Sequence, residues 1–175
     1  MRVISGKYKG KNIIGFDIDG TRPTMDRVKE SLMAMIQNKI KDSIVLDLFA
    51  GSGSLGIEAI SNGAKACYFV DKNIELIKII QENTKNIDED IKIIHSDYKK
   101  ALENFKNIKF DIIFLDPPYK FNLINDALKQ INELNLLSEN GIIVCEFETE
   151  LLDTNSYQIY KEKKYGSKKV IILKK

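Results

Sequence analysis

The fold of this 175-residue chain is decided by the stretch at residues 44–56, IVLDLFAGSGSLG. Its apolar first half is typical of a buried strand, and the small residues that follow indicate a turn. Gly51 and Gly53 allow backbone angles that other residues adopt only at a cost, and they let a ligand approach the main chain closely. The stretch therefore predicts a strand, a glycine-rich turn and a helix whose free N–H groups favour an anionic group.

The glycine spacing alone does not identify the ligand. Gly51-x-Gly53-x-x-Gly56 also fits the dinucleotide-binding fingerprint, or a tight turn that binds nothing. Asp47 stands four residues before Gly51, at the end of the predicted strand. A carboxylate there would repel a pyrophosphate, whereas it suits a ligand with a cationic amine. S-adenosyl-L-methionine carries an ammonium, a carboxylate and a sulfonium, and it is the predicted cofactor.

A regular alternation of apolar strands and helices indicates a parallel sheet that is covered on both faces. Strands are expected at 44–48, 66–70, 91–95, 110–115 and 141–147, and helices at 54–62, 73–86, near 98–105 and near 122–134. In the tail, strand-like segments at 157–164 and 168–173 are joined by a link too short for parallel pairing. The predicted class is a Rossmann-like α/β fold with a seven-stranded, mostly parallel sheet whose last strand is reversed.

The residues before this alternation form a basic extension. Residues 2–14 read as a short β-hairpin, and Thr24 is the expected N-cap of a helix that begins at Met25. The expected organisation is an N-terminal basic extension over 1–23 and a single globular unit over 24–175.

Charge is unevenly distributed, although the formal net charge is only +2. Residues 1–41 contain nine Lys or Arg and four Asp or Glu, and residues 157–175 contain seven and one, whereas the segment between them is acidic. All three arginines, Arg2, Arg22 and Arg27, lie in the first segment, and arginine is the better bidentate phosphate ligand. The two basic ends predict a polyanionic partner, the alternative being solvated lysine faces.

Two further aspartates follow predicted strands. Asp71 lies 18 residues after Gly53, the position from which a carboxylate binds ribose hydroxyls. Asp97 can accept a hydrogen bond from an adenine amine, with Tyr98 beside it as a ring contact. Because parallel strands end at one edge of the sheet, these acids are expected to share a crevice with Asp47. The alternative for each of them is a helix N-cap.

The segment Asp116-Pro117-Pro118-Tyr119 ends the fourth predicted strand and carries the expected chemistry. The prolines stiffen the turn and bias Asp116 towards extended backbone. A nucleobase amine is a poor nucleophile, because its lone pair is delocalised into the ring. The Asp116 carboxylate and the Pro117 carbonyl can accept its two N–H bonds and hold the nitrogen towards a sulfonium methyl. Tyr119 offers the base a stacking surface worth about 1–3 kcal/mol, and methyltransferases reach such bases by flipping them out.

The glycine-rich motif and the DPPY motif occur together in S-adenosylmethionine-dependent amino-methyltransferases, which this chain resembles. Four blocks narrow the resemblance: RVISGKYKG at 2–10, TRPTMDRVKE at 21–30, DLFAGSGSLGIEA at 47–59 and KKYGSKKV at 163–170. They are similar to the bacterial 16S ribosomal RNA guanine-N2 methyltransferase family, nearly end to end. The resemblance implies methylation of one guanine amine in small-subunit ribosomal RNA, within an assembled or assembling particle.

The resemblance also implies a set of site residues. The expected cofactor contacts are Asp47, Phe49, Gly51, Gly53, Asp71, Lys72, Asp97 and Tyr98. The expected base site is Asp116, Pro117, Pro118 and Tyr119. The basic ends supply the expected RNA contacts, which are Arg2, Lys7, Lys9, Arg22, Arg27 and Lys168.

Several alternatives remain open at this stage. The same apparatus fits adenine N6 in DNA or a glutamine amide in a protein, the glycines fit a nicotinamide oxidoreductase, and a non-catalytic ribosome-assembly protein is a further possibility. His95 is expected as a satisfied histidine, and no metal is expected. Cys67 and Cys145 are expected as buried, reduced thiols. No apolar run long enough for a membrane span and no signal peptide is visible, so a cytoplasmic monomer without a membrane partner is expected.

Overall fold

The computed structural model describes residues 1–15, 22–118, 123–148 and 151–175, with the backbone alone at 22–25. Its elements follow the order that the apolar pattern predicts. The helices are α1 (Arg22–Ile40), α2 (Ser54–Ser61), α3 (Ile74–Thr84), α4 (Tyr98–Asn104) and α5 (Leu123–Glu133). The strands are β1 (Ile44–Asp47), β2 (Ala66–Asp71), β3 (Asp90–His95), β4 (Phe110–Leu115), β5 (Leu137–Phe147), β6 (Gln158–Tyr165) and β7 (Lys168–Lys174).

Within the described residues, these strands form one seven-stranded sheet in the order β3-β2-β1-β4-β5-β7-β6. Neighbouring strands from β3 to β5 are parallel, and β7 is antiparallel to both β5 and β6. The predicted α/β class and the reversed last strand are therefore confirmed. The strand order changes direction between β1 and β4, and the crevice at their carboxyl ends is the point where such sheets bind ligands.

Helices cover both faces of the sheet, as its continuously apolar strands require. One buried cluster joins α1, α2 and α3 to the first face and includes Ile36 and Phe114. The second cluster joins α4 and α5 to the opposite face and includes Leu128 and Leu115. Phe114 and Leu115 are consecutive in β4 and belong to different clusters, because successive strand residues point to opposite faces. No helix in the described part of the chain is long and apolar enough to span a bilayer.

The two cysteines behave as their apolar sequence context predicts. Cys67 in β2 and Cys145 in β5 are both buried and both free. They belong to the opposite faces of the sheet, in the first and the second cluster respectively. Burial raises the pKa of the Cys67 thiol, so this side chain stays protonated and acts as a small apolar residue.

One helix boundary differs from the prediction. The helix α1 begins at Arg22, ahead of the expected start at Met25. Thr24 therefore lies inside the first turn, and the prediction that it is the N-cap was wrong. A proline at position 23 does not prevent this earlier start, because the first N–H groups of a helix need no partner within the helix.

The predicted N-terminal hairpin is only partly formed. A single isolated bridge pairs Arg2 with Asn12, and the residues between them form turns. Gly6 and Gly10 have φ angles of 80° and 86°, in the left-handed region. Such angles at both ends of the turn interrupt a regular ladder.

The N-terminal segment, residues 1–15, is fastened to helix α2. Glu58 in α2 accepts hydrogen bonds from the backbone N–H groups of Ile4 and Ser5 at 2.9 to 3.1 Å. The ammonium of Lys29, in α1, lies 3.4 Å from the Glu58 carboxylate, and both side chains are buried. A buried ion pair thus joins α1, α2 and the N-terminal segment.

Candidate active site

The turn between β1 and α2 has the geometry that its glycines predict. Gly51 and Gly53 have φ angles of 57° and 79°, in the left-handed region that favours glycine. A Cβ atom on Gly56 would lie 2.3 Å from the Phe69 ring, so only glycine lets α2 pack this closely on β2. The turn therefore brings the amino end of α2 to the carboxyl edge of the sheet with little side-chain bulk.

Asp47, the last residue of β1, is buried below this turn. Its Oδ2 accepts a hydrogen bond from the Gly56 N–H at 3.1 Å. Burial, assisted by the nearby charge of Asp71, raises the pKa of Asp47 to about 7, although the Gly56 hydrogen bond opposes the shift. A cationic ligand would favour the ionised carboxylate, so this environment fits the ammonium contact predicted for the cofactor.

The raised pKa of Asp47 predicts a pH dependence of stability. Because its folded-state pKa of about 7 exceeds its ordinary value of 3.8, its contribution is complete below pH 3.8 and is lost as the pH rises towards 7. The variant Asp47→Asn cannot titrate there. From pH 5 to pH 7.5, the unfolding free energy of the wild type should decrease as Asp47 ionises. We expect the decrease in Asp47→Asn to be smaller by about 2 kcal/mol.

Urea unfolding without ligand at the two pH values measures this difference. The matched control is Asp88→Asn, at a carboxylate whose side chain is 89% exposed, and its pH dependence should follow the wild type. Parallel curves for the wild type and Asp47→Asn would contradict the prediction.

Asp71, the last residue of β2, holds the glycine turn from the other side. Its Oδ2 accepts a hydrogen bond from the Gly51 N–H at 3.0 Å, and its Oδ1 accepts one from the Asn73 N–H at 2.8 Å. Asn73, rather than Asp71, is the N-cap of α3. The Asp71 carboxylate thus supports the turn directly, and its contact with ribose hydroxyls stays a prediction.

Asp97 and Tyr98 lie where β3 leads into α4. Asp97 is exposed and accepts a hydrogen bond from the Lys99 N–H at 2.9 Å, so it is the N-cap of α4. The helix-capping alternative is therefore correct for Asp97, and its contact with an adenine amine stays a prediction. The Tyr98 ring lies 5.2 Å from the Phe49 ring, centroid to centroid. The Tyr98 hydroxyl donates a hydrogen bond to Asp126 of α5 at 2.6 Å. The sequence had not singled out Asp126, which ties this part of the edge to α5.

Lys72 and Ile74 follow Asp71 and are exposed. The Lys72 carbonyl oxygen lies 3.0 Å from Nε2 of His95, so this histidine has a polar partner. Ile74 is 46% exposed at the start of α3 and offers an apolar surface beside Asp71, which sequence reasoning missed.

In the described ranges, no group of three or more His, Cys, Asp or Glu side chains is arranged to hold a metal ion.

Asp116 follows β4 directly and lies beside the end of β1, where Asp47 is paired with Phe114. Burial raises the pKa of Asp116 well above its usual range. The charges of Glu146 and Asp47 add to this shift, and that of Lys168 opposes it. The strand ends of β1 and β4 therefore bring two partly desolvated acids to the same part of the sheet edge.

The rest of the DPPY segment is described only in part. Pro117 is buried and Pro118 is exposed. Tyr119 lies outside the described residues, so the stacking surface assigned to it stays a prediction. The order of a buried and then an exposed proline is consistent with a turn that leaves the sheet edge after Asp116.

A second charged pair lies beside Asp116. Glu146, in β5, is buried, and the Lys168 ammonium at the start of β7 lies 2.6 Å from its Oε1. The Lys168 side chain, predicted to contact RNA, is only 20% exposed and already has this carboxylate partner. Sequence reasoning missed Glu146, although a single acid in the apolar run IIVCEF is a visible signal.

The other predicted RNA contacts are in different situations. The Lys7 ammonium lies 2.9 Å from Glu89, so part of its charge is neutralised within the protein. Arg22 belongs to α1, but its side chain lies outside the described atoms. The remaining members of the set, Arg2, Lys9 and Arg27, are exposed.

The two basic ends of the chain meet along α1 and β6. The Tyr165 hydroxyl and the Lys163 ammonium donate to the Ser31 hydroxyl at 2.6 and 3.0 Å, and the Lys161 ammonium donates to the Met35 carbonyl at 2.6 Å. We call this contact the α1–β6 seam. Because the end of β6 contacts Ser31 and its middle contacts Met35, the N-terminal half of α1 lies towards the carboxyl edge of the sheet.

The sheet order, the glycine turn and the acids at the switch point are those of a Rossmann-like fold with a ligand crevice between β1 and β4. The relatives of the chain identify its class as methyltransferases. The chain belongs to the family described as Conserved hypothetical protein 95, which matches residues 1–174. It is 40% identical to YlbH of Bacillus subtilis over 182 residues, covering 100% of this chain and 99% of YlbH. It is 35% identical to the Haemophilus influenzae protein named "Ribosomal RNA small subunit methyltransferase D", covering 95% and 89%.

Solved structures agree with this assignment. The Escherichia coli protein yhhF superposes with a TM-score of 0.87 at 26% identity, covering 99% of this chain and 96% of that one. A conserved hypothetical protein of Streptococcus pyogenes superposes with a TM-score of 0.75 at 36% identity, covering 84% and 95%. The fold class and the family resemblance predicted from the sequence are thereby confirmed. The methyltransferase names of the relatives agree with S-adenosyl-L-methionine as the predicted cofactor and set the nicotinamide alternative aside.

Proposed function

We propose that this protein transfers a methyl group from S-adenosyl-L-methionine to the exocyclic N2 amine of one guanine in 16S RNA, within the small ribosomal subunit or an assembly intermediate. The observation that carries this proposal is the position of Asp116 beside buried Asp47 at the switch point of the sheet. The names of the Haemophilus influenzae and Escherichia coli relatives, "Ribosomal RNA small subunit methyltransferase D", support ribosomal RNA as the substrate.

The residues around the glycine turn fit the cofactor. Asp47 would pair with its ammonium, and Asp71, which has lone pairs left after two backbone hydrogen bonds, would accept from its hydroxyls. The left-handed backbone at Gly51 and Gly53 forms the tight turn against which the ligand would lie. When bound, the cofactor supplies a methyl carbon that forms a C–N bond with the amine, while the electrons of the broken C–S bond stay on sulfur.

Asp116 and Pro117 would hold the amine during this transfer. Each accepts one N–H, the first through its carboxylate and the second through its carbonyl oxygen, and the nitrogen lone pair is thereby directed at the methyl carbon. After methylation, the nitrogen loses one proton to the Asp116 carboxylate or to water. Positioning of this kind is worth up to roughly 7–11 kcal/mol of the barrier.

The α1–β6 seam supplies a surface for the RNA backbone next to this site. It carries Arg27 on α1, one turn before Ser31, and the exposed Lys163 and Lys164 on β6. Together with Arg2 and Lys9, these side chains would neutralise phosphates around the target base. Residues 1–23 would then act as an RNA-facing extension of the unit over 24–175, in a protein that works as a cytoplasmic monomer.

The proposal is tested with isotopically labelled cofactor and four acceptors: small subunits that lack the modification, naked 16S RNA, DNA and total protein. Label is expected in RNA alone, and nuclease digestion should release it as N2-methylguanosine. Label in DNA as N6-methyladenine, or in protein as methylglutamine, would contradict the proposal.

Substitution of the arginines on α1 is expected to weaken RNA binding. Arg22→Ala and Arg27→Ala should each reduce the slope of log affinity against log salt by about one, because each removes one phosphate contact. The control is Lys129→Ala on α5, at an ammonium that is 73% exposed on the opposite face of the sheet. Equal slopes for both arginine variants and the wild type would count against this surface.

A further inference from the structure

We propose that Glu146 and Lys168 form a charge pair that sets the ionisation of Asp116, and that both are positioning residues for methyl transfer. This inference rests on the function proposed above. It adds a role for two residues that belong neither to the glycine-rich turn nor to the DPPY segment. Neither residue is assigned to contact the base or the cofactor, and both act through Asp116.

Strand register brings these groups together. The parallel pairing of β4 and β5 ends with Leu115 opposite Cys145, and Asp116 and Glu146 are the residues that follow this last pair. Leu115 and Cys145 belong to the cluster on the α4–α5 face. Because side chains alternate along strands, Asp116 and Glu146 point to the opposite face, which α1, α2 and α3 cover.

Asp47 and Lys168 belong to the same face. Asp47 is paired with Phe114, whose side chain lies in the cluster under α1, α2 and α3. Lys168 stands two residues before Val170 in β7, and Val170 lies in that same cluster. Since β7 runs antiparallel to β5, its first residue reaches the carboxyl edge of the sheet. Three acids and one ammonium from four strands therefore converge on one side of the edge.

The charges in this group act on Asp116 in opposite directions. An ionised carboxylate accepts an amine N–H more strongly than a neutral carboxyl group does, and a neutral carboxyl cannot take up the proton that the amine loses. Burial and the carboxylates of Glu146 and Asp47 oppose the ionisation of Asp116. The Lys168 ammonium favours it, and the 2.6 Å contact with Glu146 fixes where that ammonium lies. The pair thus places one charge that opposes the ionisation of Asp116 and one that favours it beside the carboxyl group that would hold the substrate amine.

The test uses two substitutions with opposite expected effects. Glu146→Gln removes a negative neighbour and should lower the pKa of Asp116 by about one unit, whereas Lys168→Met should raise it by about one unit. The double variant should return it close to the wild-type value. Two readouts are measured: the carboxyl ¹³C titration of Asp116, assigned by its loss in Asp116→Asn, and the acidic limb of the pH profile of kcat/KM at saturating cofactor.

Opposite shifts in both readouts are the expected result. The inference would be overturned by shifts in the same direction, by no shift, or by a shift of the carboxyl titration without one in the pH profile. A pair with a merely structural role would lower activity in both variants, but it would not move their pH profiles in opposite directions. Lys168→Arg keeps the charge and should keep the wild-type profile. A wild-type protein that methylates no RNA would instead defeat the proposed function, and the carboxyl titration distinguishes the two failures.

Discussion

Replacing Asp116 with asparagine or alanine should reduce kcat/KM for methyl transfer by at least about 100-fold. Asparagine keeps the shape of the side chain but replaces one acceptor oxygen with an NH2 donor, which opposes the N–H groups of the substrate amine. Alanine removes both acceptors. The affinity for the cofactor should stay within a few-fold, because Asp47, Asp71 and the glycine turn do not depend on this side chain.

The stability of the Asp116 variants should distinguish lost chemistry from lost folding. Burial raises the pKa of the Asp116 carboxyl above its ordinary value, so its contribution to stability is lost as the pH rises towards neutrality. Asp116→Asn removes this penalty, and its melting temperature at pH 7.5 should equal or exceed that of the wild type. Inactive protein with an unchanged or raised melting temperature is therefore expected.

Transfer of labelled methyl groups and calorimetric titration of the cofactor provide the two measurements. The matched control is Asp90→Asn, at the start of β3, whose carboxylate is 56% exposed and pairs with Lys92. It lies at the amino end of its strand, away from the candidate site, and should keep full activity. Wild-type turnover in Asp116→Asn would disprove the role of this carboxylate.

The part of this site that the sequence predicts is the part that depends on local pattern and on parallel topology. The strand, the turn and the helix around Gly51 and Gly53 follow from short-range periodicity and from residues that tolerate positive φ. Once five apolar strands are known to be parallel, Asp47 and Asp116 must end at one edge, whichever side chains fill the core. Neither inference needs a distant contact.

The sequence does not predict contacts that depend on the order of strands in the sheet. Glu146 meets Lys168 because β7 inserts between β5 and β6, and an antiparallel tail could equally have been ordered with β6 next to β5. The sequence therefore predicts an exposed lysine in a basic tail, although Lys168 forms an ion pair with Glu146 beside the site. Asp97 illustrates a different limit, since an acid after a strand can cap a helix and bind a ligand from the same position.

The sequence also does not predict the contacts that hold the N-terminal segment against α2. Glu58 stands in the apolar helix segment SLGIEAIS, where a single acid is a signal of a buried partner, but the pattern does not name that partner. The partner, Lys29, lies in a different helix, and the remaining acceptor capacity of Glu58 is used by the backbone of residues 4 and 5. Only the packed structure brings the three together.

Replacing Glu58 with alanine should destabilise the protein by about 3–5 kcal/mol, which is the usual loss when one partner of a buried ion pair is removed. The Glu58 side chain is fully buried and that of Lys29 is 5% exposed, so the ammonium would lose its counter-charge in an apolar setting. The N–H groups of Ile4 and Ser5 would also lose their acceptor. For a chain of this length, we expect the melting temperature to fall by roughly 10 °C.

The comparison that isolates burial is Glu75→Ala, which removes one partner of an ion pair at 2.8 Å whose side chains are 69% and 63% exposed. That substitution should change stability by no more than about 0.5 kcal/mol. Combining Glu58→Gln with Lys29→Met removes both charges and should cost less than the sum of the single changes. Release of the N-terminal segment should also let trypsin cleave the backbone after Lys9 sooner in Glu58→Ala than in the wild type. If Glu58→Ala were as mild as Glu75→Ala, the buried pair would not be what holds residues 1–15 against α2.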